Sequence, residues 1–225
     1  MKLVTIQTMS AYNELKNNGY LITDSKYVNQ LKYGVPYNFV INNMKNIENR
    51  YNAEYPLWAW VKYGRCTMPP KHKMLGFFAE NDNEVVRITF NKPNSEVLVN
   101  DFVKYSFLLT NEYLPKTYND YLTFDKYINS KNVSKNDLLA VVRKDKFNKV
   151  RSDNDFVEVN NKIQNSYCDI FNLETNYLQA TVWDIKLSDI VKVEFIKKDQ
   201  CSKRKTNRDF RKEYIAYLKH KSNNQ

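Results

Sequence analysis

The sequence predicts an α+β fold with largely antiparallel strands and flanking helices. Residues 84–90, Glu-Val-Val-Arg-Ile-Thr-Phe, alternate as a strand with one buried face does. Residues 37–51 place Phe39, Val40, Asn43, Met44 and Ile47 at helical spacing. The 17 Tyr and 12 Phe favour a sheet-containing fold over a pure bundle of helices.

Taken in order, residues 3–7 (Leu-Val-Thr-Ile-Gln) read as the first strand. Ser10 is placed to cap a short helix over 11–17. Gly19 is placed to end it, because helices commonly close on a residue in the left-handed region. Residues 20–23 continue extended. Pro36 stands where proline favours a helix start, which predicts the helix over 37–51. Pro93-Asn-Ser95 makes a turn, and 96–99 a short strand. Asn100 or Asp101 then caps a helix to about residue 111. Residues 113–125 are rich in tyrosine, and 126–161 are polar and charged. Within them Ser134-Lys-Asn-Asp137 resembles a capping box, with Asp in place of Glu, for a helix over 134–142. Residues 143–155 read as a surface loop and 156–171 as helical. Residues 176–186 and 191–196 are the last strands. Thr206 or Asn207 caps a C-terminal helix to about Lys219, with Phe210, Tyr214, Tyr217 and Leu218 as its apolar stripe.

The rest of the chain is organised around residues 54–65, Glu-Tyr-Pro-Leu-Trp-Ala-Trp-Val-Lys-Tyr-Gly-Arg. Pro56 fixes its own φ and pushes Tyr55 toward an extended conformation. On the strand that follows, Trp58 and Trp60 share one face, and Leu57, Ala59 and Val61 the other. Two indoles on one face make either the centre of a core or the wall of a pocket. The loop after this strand carries Arg65, Lys71 and Lys73, which either hold a phosphate or are solvated. In a later strand Gln179, Thr181 and Trp183 share a face.

Length and composition predict one α+β domain over 1–196 with a basic helical appendage over 197–225. The formal charge is +10. Residues 197–225 hold ten Lys/Arg and three Asp/Glu, so +7 of it lies there. A basic segment on a near-neutral body points to an acidic partner such as RNA or DNA, with Lys203, Arg204, Lys205, Arg208, Arg211 and Lys212 as the contacts. The competing reading is a solvated basic helix. Three widely spaced cysteines and two histidines leave little material for a metal site or a histidine base, so no metal is expected. The cysteine pattern, the lack of a leader-like apolar run and the lack of a transmembrane-length window predict a cytoplasmic protein without membrane contact. Four glycines nearly exclude glycine-rich phosphate cradles.

Several stretches together resemble an uncharacterised bacterial domain-of-unknown-function family. They are Thr5-Ile-Gln7 with Gly19, Tyr55-Pro-Leu-Trp-Ala-Trp60, Val97-Leu-Val-Asn-Asp-Phe102 and Gln179-Ala-Thr-Val-Trp183. The family pattern is similar to T-I-Q, Y-P-I/L-W-A-W, V-L-x-S-D-F and Q-x-x-x-W. Asn100 stands where that pattern usually has Ser, and Tyr105 where Trp is common. The order of an opening strand, a short helix and Gly19-Tyr-Leu21 also resembles the ADP-ribosyltransferase fold. That resemblance implies small, split antiparallel sheets and an NAD cleft between them. It places Thr5, Gln7, Trp58, Trp60 and Arg65 around NAD, and Gln179 where the fold often has a glutamate. There is no E-x-E pair, no H-x-T in the first strand and no S-T-S on a middle strand. Glutamine cannot act as a general base, so any such chemistry would fall to positioning or to Asp101.

Two functional classes follow. One is an ADP-ribosyltransferase-like enzyme that uses NAD to modify a macromolecule, nucleic acid among the candidates, in a defence or toxin context. The other is a non-catalytic nucleic-acid-binding module or interaction protein.

Overall fold

The computed structural model describes residues 1–68, 83–201 and 209–223. Two compact units share the chain. The first comprises Met1–Tyr27, Ile41–Val99 and Thr175–Asn207; the second comprises Val28–Val40, Asn100–Glu174 and Arg208–Gln225. The expected division at residue 196 follows chain order, whereas these units interleave. The C-terminal helix belongs to the second unit together with residues 100–174.

The strands of the first unit are β1 (Lys2–Thr8), β2 (Tyr20–Leu21), β3 (Leu57–Tyr63), β4 (Glu84–Asn91), β5 (Leu98–Asp101), β6 (Tyr177–Val182), β7 (Ile185–Lys186) and β8 (Ile190–Lys197). The unit boundary falls within β5. Six of the strands form one sheet in the order β5-β6-β3-β1-β4-β8, and β2 pairs with β7 as a separate two-stranded ribbon. The β1–β3, β1–β4, β3–β6 and β4–β8 pairings are all antiparallel. One face buries Leu3, Leu57, Ala59, Val86, Ile88, Phe90, Ala180 and Val182 against Leu15 of helix α1 (Met9–Asn18), Leu21 and Ile185. Thr8, not Ser10, caps α1: its Oγ1 accepts from the Ala11 amide at 3.1 Å. Gly19 closes the helix at φ 79° and donates its N–H to the Leu15 carbonyl. The strand expected over 96–99 lies further on, as β5, because Asn94–Glu96 forms a 3-10 turn.

The second unit is helical, with α3 (Phe102–Leu108), α4 (Tyr118–Ser130), α5 (Lys135–Val142), α6 (Asn154–Ser166) and α7 (Phe210–Asn223). Helix α2 (Gln30–Asn43) begins in this unit. Instead of starting after Pro36, it carries that proline in its interior. Asn29 explains the earlier start. Its Oδ1 accepts from the Lys32 amide at 3.1 Å, and its carbonyl takes the Tyr33 amide at 2.8 Å. Ser134 and Asp137 form the capping box at the head of α5. Asp153 caps α6, which ends at Ser166 and continues as a 3-10 turn to Phe171. Tyr214 and Leu218 of α7 are buried, whereas Tyr217 from the same expected stripe is half exposed. Phe107 and Tyr214 pack edge to face at 5.9 Å, and Phe102 and Phe210 at 5.2 Å. Thr206 and Asn207, the expected caps of α7, lie outside the described residues. No described helix is long and apolar enough to cross a membrane.

Candidate functional site

Sheet order brings the three strands that carry the expected site side by side, as β6-β3-β1. Within β3–β6, Trp60 stands directly across from Gln179 and Trp58 across from Thr181. Directly opposed residues of an antiparallel pair project to the same face. The two indoles therefore share a face, as their spacing predicted, and the strand pairing adds Gln179 to it. Val4 is paired with Trp60, so Val4 and Ile6 belong to that face too.

Thr5 and Gln7 do not. In β1–β4 they oppose Ile88 and Val86, both members of the apolar cluster on the other face. Period-two alternation places them there with Leu3, away from the indoles. Thr5 is buried, and its Oγ1 donates to the Trp58 carbonyl at 2.7 Å. Gln7 Nε2 donates to Thr5 Oγ1 at 2.9 Å. This pair fastens β1 to the β3 backbone from the core side. Reading the first strand against the tryptophan strand needed their relative register, which sequence spacing does not contain.

Trp60 is only 7% exposed. Its ring meets Tyr63 edge to face at 5.0 Å, and Tyr63 meets Tyr177 likewise at 5.1 Å. A bulge between Trp60 and Lys62 shifts the register at this point. Trp58 and Gln179 are partly exposed, so they form the accessible part of the constellation. Arg65 is exposed in the tight turn after β3, where Gly64 takes φ 62°. Lys71, His72 and Lys73 lie outside the described residues. Trp183 is an anchor: its Nε1 donates to the Ile47 carbonyl at 3.1 Å.

Alternation adds an ion pair that the sequence reading did not single out. Val4 opposes Thr89, and Ile6 opposes Arg87, which in turn opposes Glu194 of β8. Arg87 and Glu194 are 3.4 Å apart on the indole-bearing face. Burial works against the Glu194 charge, but Lys192 and Arg87 outweigh it and hold the carboxyl below its ordinary range. The signal for Arg87 was present in the clearest strand of the sequence, as a lone cation amid apolar neighbours.

Asp101, the other expected catalytic group, belongs to the second unit and is fully buried. Its Oδ1 accepts from the Val103 and Lys104 amides at 3.0 and 3.4 Å, and its Oδ2 from the Glu174 amide at 3.2 Å. A carboxylate engaged this way is the cap of α3 and ties the Glu174 segment to it. Of the expected nucleic-acid contacts, Lys203, Arg204, Lys205 and Arg208 lie outside the described residues. Arg211 is drawn inward, donating to Glu112 and to Thr110 Oγ1 at 2.6 Å each. Lys212 keeps its side chain 87% exposed, with its Nζ 3.8 Å from Asp209.

No curated protein and no solved structure matches the chain. Residues 2–191 match a family described as a domain of unknown function, DUF3841. That span runs from β1 into β8 and takes in every strand of the site, so the chain belongs to this domain-of-unknown-function family.

Proposed function

We propose that the protein is an ADP-ribosyltransferase-like enzyme that uses NAD as co-substrate. The observation that carries the reading is the β6-β3-β1 adjacency, with Gln179 across from Trp60 and beside the partly exposed Trp58. An indole face stacks on a planar base. A glutamine amide both donates and accepts, which suits it to hold a ribose hydroxyl pair. Arg87 lies two strands from Trp58, roughly 10 Å at the usual interstrand spacing, and offers a guanidinium to a pyrophosphate. In the transfer, the bond between ribose C1′ and nicotinamide breaks and nicotinamide leaves. A bond forms from C1′ to an acceptor oxygen or nitrogen, whose proton passes to solvent. Asp101 has no part in that step, because its oxygens hold backbone amides.

The acceptor in this reading is a nucleic acid. Its support is the +7 charge of residues 197–225 and the exposed Lys212 side chain. The test is thermal denaturation with NAD, followed by transfer from labelled NAD to RNA, DNA and protein. Ligand at a hundredfold excess over Kd stabilises by about 2.7 kcal/mol, a rise of several degrees in Tm. Trp58→Ala and Gln179→Ala should abolish the rise. An unchanged Tm at millimolar NAD removes the proposal.

A further inference from the structure

Helix α4 of the second unit buries no residue completely, although it carries Tyr118, Tyr121, Phe124, Tyr127 and Ile128. A packed helix normally sets such an i, i+3, i+7 stripe against other side chains. Here Tyr121, Phe124 and Ile128 line a cavity of about 790 Å³. Buried Phe107, Val133 and Leu138 also line it, from α3 and from the segment that includes α5. Every residue lining it belongs to the second unit. The volume is that of a small-molecule site, about 300–1,000 Å³. Left unfilled, apolar walls forfeit their dispersion contacts.

Two features narrow the occupant. The walls offer flat rings: Tyr118 and Tyr121 are stacked at 6.1 Å with an interplanar angle of 24°. The exposed lining residues include Lys135, Lys212 and Lys219, and the Lys219 ammonium lies 5.7 Å from the Tyr118 ring centroid. Opposing carboxylates are present in Glu112, Asp125 and Asp209, but Glu112 and Asp209 lie against Arg211, at 2.6 and 3.6 Å. The cavity thus joins aromatic walls to ammonium groups at its surface. That combination suits a planar ring attached to a negative group.

We propose that this cavity binds a nucleotide unit, its base against Tyr121 and Phe124 and its phosphate toward Lys135 and Lys219. The unit is either a free mononucleotide or one residue of a single strand. The site lies wholly in the second unit and stands whether or not the first unit uses NAD.

Calorimetric titration of the full chain with AMP, adenosine and an oligoadenylate tests it. AMP or the oligonucleotide should bind at least tenfold more tightly than adenosine, and both should weaken with added salt. Tighter binding of AMP identifies a free nucleotide as the ligand; tighter binding of the oligonucleotide identifies a single strand. Tyr121→Ala should weaken binding at least tenfold. Lys219→Gln, an exposed change that leaves the walls intact, should flatten the salt dependence. Absence of binding by both AMP and the oligonucleotide overturns the proposal. So does binding that neither substitution alters, which would place the nucleotide elsewhere, the NAD face included.

Discussion

Lys92 and Lys104 are both buried, and each is held by carboxylates of its own unit. Lys92 Nζ lies 2.7 Å from Asp184, 2.9 Å from Asp189 and 3.3 Å from Glu96, and Glu96 is shared with Arg50 at 2.7 Å. Burial alone would depress the Lys92 pKa, but the hydrogen bonds it donates to Asp184 and Asp189 override this and hold the ammonium charged. Lys104 Nζ sits 2.5 Å from Asp169 and 3.2 Å from Glu174 and donates to the Asn172 carbonyl at 3.0 Å. Removing one partner of such a cluster costs far more than the pair itself contributes, because the other charge is stranded in a poor solvent. Lys92→Met should therefore destabilise the protein by about 3–5 kcal/mol, measured by urea denaturation at pH 7. The deficit should shrink toward acid pH. A buried charge left without its partner is relieved by neutralisation, which acid favours for a carboxylate. A deficit that stays constant from pH 7 to 4 would mean the carboxylates are not stranded.

At the scale of single elements, two glycines give opposite expectations. Gly19 has φ 79° at the end of α1, and a Cβ there would meet nothing within 4 Å. The cost of Gly19→Ala is then purely backbone strain, about 1 kcal/mol. Gly34 lies inside α2, also with open space around a Cβ. There the alanine narrows the unfolded ensemble, and Gly34→Ala should stabilise by about 0.5–1 kcal/mol. Denaturation midpoints that move in the same direction would contradict either the left-handed cap at Gly19 or the helical placement of Gly34. The same elements mark what was legible in the chain. Gly19, the strand over 84–90 and the Ser134–Asp137 box each carry a local signal strong enough to define an element alone. Helix α2 was misplaced because Pro36 competes with Asn29 as a start signal, and only packing decides between them. Helix α4 was missed although Thr117 and Asp120 announce its cap, where the Asp120 amide donates to Thr117 Oγ1 at 3.0 Å. For the site, in-strand alternation correctly joined Trp58 to Trp60, but the face of Thr5 and Gln7 depended on pairing between strands.

For the whole molecule, the titrating groups define two edges of a stability plateau. On the acid side, hydrogen bonds from Arg151, then from the Phe156 amide, hold Asp153 at about 2 against an ordinary 3.8. The Ser134 side chain lowers Asp137 in the same way. Arg50 and Lys92 lower Glu96 against the opposing pull of burial. These groups bind protons more weakly folded than unfolded. Their stabilisation is complete above the ordinary carboxyl range and disappears as pH falls from about 4 toward 2. On the alkaline side, burial above all raises Tyr105 and Tyr167 well above an ordinary 10.0. They bind their protons more tightly folded, so their stabilisation is complete below pH 10 and is lost as pH climbs past it. The urea midpoint should accordingly be flat between about pH 5 and 10 and fall on both sides. The net charge sharpens the acid edge. At +10 the chain is already cationic at neutral pH, and every carboxylate protonated adds to its self-repulsion. Added salt should therefore recover more stability at pH 3 than at pH 7. Equal salt responses at the two pH values would show that local carboxylate contacts, and not the overall charge, govern acid unfolding.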